Sequence, residues 1–248
     1  FLDELAARRG KALAPARPFQ LTHNGDELGW QQGSNGLWNA TLYIENGRVD
    51  GALRDQLHGF FQQYGSRIRM TTNQNLQLVD VDASELEQIG WRLDDLGLSH
   101  RLKPDQQAAY TLSCVALPTC GLAMAEAERY MPDLLDLFNR LKAQYHISET
   151  PITLRITGCP NGCARPYLAE IALTGRAPGR YNLYLGGSFH GDRLAKLYAG
   201  NVSEERFIDL LAPLFQAYSQ RRKTDEYFGD FLVREDLLSD LPVTIRAS

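Results

Sequence analysis

Apolar and polar residues follow two alternating periods along this chain. Leu2, Leu5 and Ala6 recur at helix spacing ahead of Gly10, which predicts a short helix over 1–10 with the glycine as its stop. Residues 11–37 lose that period and fill with Pro, Gly, Asn and Gln, the pattern of a long connection or arm. From Trp38 order returns: 39–45 alternates as a strand and Asn46 with Gly47 marks a turn. Leu53, Leu57, Phe60, Phe61 and Tyr64 predict a helix over 51–64. Residues 68–72 and 76–79 read as strands around an Asn73, Gln74, Asn75 corner, and a second helix fits 83–96 after Asp82.

Lys103 and Pro104 suggest a boundary. Beyond them the strongest helical stripe runs over 122–146, through Leu122, Ala125, Met131, Leu134, Leu135, Phe138, Leu141 and Tyr145. A strand at 152–156 enters a Gly158–Cys163 loop, strands follow at 168–174 and 181–186, and a helix covers 203–222. The order predicts an α+β protein: an arm over 1–37, a ferredoxin-like half-domain over 38–105, and an α/β cluster-binding domain over 106–248.

Composition narrows the class. Hydrophobic residues make up 44% and charged residues 23% of 248, an ordinary globular balance. No apolar run reaches membrane-spanning length, and a net charge of −4 argues against general nucleic-acid binding. The opening Phe1-Leu2-Asp3-Glu4-Leu5 is neither an initiator Met nor an export signal, so the chain reads as a stretch of something longer, in a reducing cytoplasm.

There, cysteines serve metals more often than disulfides. All four fall in two clusters, Cys114-x5-Cys120 and Cys159-x3-Cys163, separated by 38 residues. An iron–sulfur site fits this spacing; a zinc site fits less well, because x5 exceeds the usual two to four. Disulfides or buried thiols stay open, above all for Cys114 in the apolar run 112–117. Gly158, Pro160, Asn161 and Gly162 make a tight loop whose amides can face inward. The Pro118–Gly121 corner is expected to open the long helix, where free amides and the dipole favour thiolate charge. His23, His58, His100, His146 and His190 show no metal-ligand spacing and read as surface residues. Glu126, Glu128 and Arg129 read as a solvated or interdomain face.

Two strings carry a specific resemblance, ALPTCGLAMAEAER over 116–129 and RITGCPNGC over 155–163. With RMTTNQN over 69–75, NLYLGG over 182–187 and FGDF over 228–231, the chain resembles the carboxy-terminal half of assimilatory sulfite reductase haemoproteins, in order across 38–235. Two positions depart from that pattern: Gly121, where Pro is expected, and Ala164, where Gly is commoner.

The resemblance implies a 4Fe-4S cluster held by Cys114, Cys120, Cys159 and Cys163. It further gives Cys163 a catalytic role, as the shared axial ligand of a sirohaem iron. Because sirohaem is rich in carboxylates, Arg69, Asn73, Gln74, Asn75 and Asn161 are candidate cofactor-binding residues, with Arg155 and Arg165 flanking the loop. The implied reaction reduces sulfite to sulfide. Electrons would come from a flavoprotein reductase subunit using NADPH, or from a ferredoxin. The amino-terminal half of the same protein would supply most substrate-binding Arg and Lys, so this stretch alone is expected to show little or no activity. A sirohaem nitrite reductase is the nearest rival reading, and a non-catalytic zinc or scaffold module the more distant one.

Overall fold

The computed structural model describes residues 1–15, 17–19, 21, 25–105 and 107–238. A short exposed helix, α1 (Leu2–Arg9), ends as its sequence requires. Gly10 takes φ 68°, and the amides of Gly10 and Lys11 close the last turn on the carbonyls of Ala7 and Ala6.

The first sheet combines β1 (Gly29–Gln32), β2 (Trp38–Leu42), β3 (Ile68–Met70) and β4 (Leu76–Val81), in the order β1-β2-β4-β3 with every pair antiparallel. Ala40, Leu42, Leu78 and Val81 meet Leu57, Phe60 and Tyr64 of α2 (Gly51–Tyr64) and Ile89 and Leu93 of α3 (Leu86–Asp95). These side chains are almost wholly buried, and each Val, Leu, Ile or Phe among them is worth roughly 1.5–3 kcal/mol on folding. The predicted helix over 83–96 begins as a 3-10 turn over Ala83–Glu85, opened by a reciprocal cap: Asp82 accepts from Ser84 N, and Glu85 reaches back to the Asp82 amide. Part of the predicted arm is strand: β1 pairs with β2 from Gly29↔Thr41 to Gln32↔Trp38.

The second sheet runs β5 (Thr111–Ser113), β6 (Leu154–Thr157), β7 (Ile171–Ala177), β8 (Arg180–Leu185), β9 (Lys196–Val202). Its first three strands are parallel and the last two antiparallel, so the protein as a whole is α+β. Helices α4 (Met131–Gln144), α5 (Glu204–Arg221) and α6 (Phe228–Arg234) bury Phe138, Phe215, Tyr218, Phe228 and Phe231 in its core.

The longest predicted helix is the main correction. Helix α4 starts at Met131, and 117–130 is a succession of turns. Pro132 sets that start, because a proline tolerated in the first helical turn would clash with the carbonyl four residues back if the helix ran on from 122. Among the described residues no helix is long and apolar enough to cross a membrane.

Candidate functional site

Strands β5 and β6 are parallel and in register, Ser113 opposite Ile156, so Cys114 and the 158–163 loop leave the sheet at the same end. Cys114 N donates to Ile156 O at 3.2 Å. Its sulfur accepts from the Gly158 amide at 3.2 Å, with Thr157 Oγ1 at 3.5 Å. The segment carrying Cys120 is strapped to the same loop, since the amides of Met124 and Ala125 both donate to Gly158 O, at 2.7 and 3.1 Å. Cys120 N in turn donates to Ala116 O at 2.8 Å.

This packing needs glycine. A β-carbon on Gly158 would lie 2.6 Å from the Ala116 β-carbon and 2.7 Å from Ala125 O, and one on Gly175 would lie 2.2 Å from Gly158 O. Gly162 turns the loop with φ 68°, and Arg165 N closes on Gly162 O at 2.7 Å. All four cysteines are free, and no disulfide links them in this structure. Cys159 is buried, Cys114 and Cys120 are half-buried, and Cys163 is exposed. Among the described residues no three His, Cys, Asp or Glu side chains converge as a ready single-ion site. The Pro118–Gly121 corner opens no helix, so the expected dipole contribution is absent there.

The Asn73–Asn75 corner stands against these loops. Gln74, with φ 66°, donates through Nε2 to Ser113 O at 2.9 Å, next to Cys114. Ser113 Oγ bonds Asn46 Oδ1 at 3.1 Å. Arg165 Nη2 donates to Thr72 O at 3.0 Å and to Asn73 Oδ1 at 2.6 Å. Asn75 is buried, accepting from Ile44 N at 2.9 Å. Asn73, Gln74 and Asn75 line one narrow cavity with Tyr43, Tyr110 and Arg155. Arg69 does not line it: its side chain is 68% exposed and reaches Asp80 at 3.7 Å. Asn161 is exposed at the tip of the cysteine loop.

Charges brace the junction. Arg48 and Glu128 form a two-pronged pair between the first sheet's unit and the 117–130 turns, while Arg129 pairs with Glu126 at the surface. Arg155 lies buried behind the loop and donates to Arg165 O at 3.0 Å. Burial, reinforced by Arg165, lowers its pKa to about 10. Burial also pushes the Tyr181 hydroxyl well up, with Glu126 and Cys114 adding to the effect. His58, His100 and His146 are exposed, His190 packs edge-on against Phe189 and Tyr227, and His23 lies outside the described residues.

Several residues of this site carry no signal in the sequence. Asp26 sits in the irregular arm, Thr157 ends an ordinary strand, and Gly175 interrupts a strand with no visible motif.

Residues 30–95 match the family model for the nitrite/sulfite reductase ferredoxin-like half domain. The chain is 47% identical over 242 residues to the sulfite reductase [NADPH] hemoprotein beta-component of Methylocella silvestris. It is 45% identical over 238 residues to that of a Paenibacillus species. These alignments cover 96% and 94% of the chain but 42% of each relative, so the chain spans under half their length. Among solved structures, the Mycobacterium tuberculosis NirA protein matches 96% of the chain and 46% of its own, with TM-score 0.74 and 26% identity. Dissimilatory sulfite reductase I shares the fold at TM-score 0.55 and 12% identity, over 100% of the chain and 81% of its own. Across nearly its whole length the chain is thus a homologue of part of the sulfite reductase hemoprotein beta-components, and residues 30–95 match the nitrite/sulfite reductase ferredoxin-like half domain.

Proposed function

We propose that the chain is the cofactor-bearing part of a sulfite reductase, with Cys114, Cys120, Cys159 and Cys163 holding a 4Fe-4S cluster and Cys163 shared with the iron of a sirohaem. The observation that carries this reading is the Gly158 amide aimed at Cys114 Sγ, inside two cysteine loops strapped together through Gly158 O. Four free thiols on adjoining backbone segments are a donor set suited to iron and sulfide, and amides directed at sulfur are how a protein stabilises and tunes such a group. The glycine and alanine cradle of Ala116, Gly158 and Gly175 lets the backbone come that close.

When bound, the coupled centre supplies the electrons that take sulfur from +4 to −2. The chain's own residues position the donor set. Gly158 and Thr157 hold Cys114 at the sheet end. Cys163 is the exposed cysteine of the four, and a second cofactor would share it there. Asn73, Gln74 and Asn75 fix the neighbouring corner; their role toward sirohaem carboxylates, with Asn161, belongs to the same proposal, whereas Arg69, exposed and 3.7 Å from Asp80, stands outside it.

The domain division at about residue 105 and a cytoplasmic location remain part of this reading. Its electrons come from an NADPH-dependent flavoprotein partner or a ferredoxin, and the amino-terminal half of the same protein completes the sulfite pocket. Turnover of sulfite and nitrite by the natively expressed protein, with a chemical electron donor, tests it. The reading requires the kcat/KM for sulfite to exceed that for nitrite; the reverse preference would establish a nitrite reductase on the same scaffold.

A further inference from the structure

Asp26 lies in the irregular stretch before β1, far in sequence from any cysteine, yet its carboxylate gathers three side chains of the corner. Thr71 Oγ1 donates to Oδ2 at 2.5 Å, Asn75 Nδ2 to the same oxygen at 2.9 Å, and Asn73 Nδ2 to Oδ1 at 2.8 Å. An acceptor-only group at this place fixes how both amides point. With its nitrogen on Asp26, Asn73 must offer its oxygen on the other side, and there it receives Arg165 Nη2 at 2.6 Å. Asn75 likewise turns its oxygen to Ile44 N at 2.9 Å.

Arg165 is the second residue after Cys163, in a left-handed conformation with φ 52° that needs support from outside the loop. It has that support on both ends. Its guanidinium is held by Asn73 Oδ1 and Thr72 O, and its carbonyl by Arg155 Nη1 at 3.0 Å. We propose that Asp26 is a positioning residue for the Cys159–Cys163 loop, acting through the orientation of Asn73 and the anchoring of Arg165. The inference rests on the hydrogen-bond chain alone and holds whichever group the cysteines bind.

Two substitutions distinguish this role from general support. Asp26→Asn keeps the shape but places a second amide against Asn73 and Asn75; Asn73→Ala cuts the chain one link later. The measurements are the hydrogen-exchange rates of amides 161–163 and of amides 164–165 in the natively expressed protein. Strands 171–177 and 180–185 serve as the internal reference. Either change is expected to raise both loop rates by about fivefold or more, the scale of one lost charge-assisted bond, with the reference strands unmoved. The double substitution is expected to add nothing beyond the larger single effect, because both act on one path. Asp26→Glu, which keeps the acceptor, is expected to restore most of the protection. Unchanged loop rates in both single variants overturn the proposal, as does an equal rise in loop and strands, which would mark Asp26 as a stability residue only.

Discussion

The Thr71–Asn75 corner and the cysteine loops meet at Arg165, yet they are built on opposite rules. In the corner nearly every polar side chain is engaged inside the protein: Thr71, Asn73 and Asn75 on Asp26, Gln74 on Ser113 O. In the loops, order comes from backbone bonds and from glycines and alanines packed too closely for any larger residue, while Cys163 stays exposed. The corner is therefore a brace, made rigid by satisfied hydrogen bonds. The loops are a holder, shaped by the chain so that thiols remain available. The amide-rich segment thus supports the candidate site, and the thiol-bearing segments line it.

The largest effects should fall on the holder. Substituting Cys159, the buried thiol, by Ser is expected to cut bound iron by about an order of magnitude, since hard hydroxyl oxygen replaces soft thiolate; iron analysis per chain reads it. Behind the loops, Glu170 is fully buried and accepts from Thr153 N and Gly229 N, each at 2.8 Å. Burial pushes its pKa up to about 7 from 4.5, against those bonds. Between those values the folded state keeps a proton that the unfolded chain has released, so stability falls as pH rises from 4.5 to 7, by up to about 3 kcal/mol. Denaturant titrations across that range should show the slope in the native protein and lose it in Glu170→Gln.

Gly158→Ala should cost about 2–3 kcal/mol, because its β-carbon has no room, whereas Gly121→Ala, with nothing within 4 Å, should stay within about 0.5 kcal/mol. Equal costs would mean that the loops are not shaped by close approach. At the small end, Arg69→Ala should change stability by no more than about 0.5 kcal/mol, given an exposed pairing at 3.7 Å, and leave the visible spectrum of the loaded protein unaltered. A spectral shift in that variant would place Arg69 with the holder after all.

Much of this division was legible in residue order. The 51–64 helix coincides with α2 because its apolar positions repeat without interruption, and Leu53, Leu57, Phe60 and Tyr64 pack into one core while Phe61 stays exposed. The glycines around Cys159 pointed to a tight loop with inward amides, and the Gly158 amide does reach Cys114 Sγ. What stayed hidden has two causes. Residues 122–130 keep helical spacing, but Ala125 and Ala127 are buried by turns packed on Gly158, and the deciding signal was the single Pro132. Short elements such as β5 and contacts across long separations, such as Asp26 with Asn73 and Arg48 with Glu128, leave no periodicity to read, because tertiary packing alone specifies them.

The central claim is that the four cysteines hold an iron–sulfur cluster joined to a sirohaem, and the visible absorption spectrum of the natively expressed protein, purified without oxygen and analysed for iron, sulfide and zinc, tests it most directly. The account predicts strong visible bands together with iron and acid-labile sulfide. A colourless sample carrying stoichiometric zinc would contradict it.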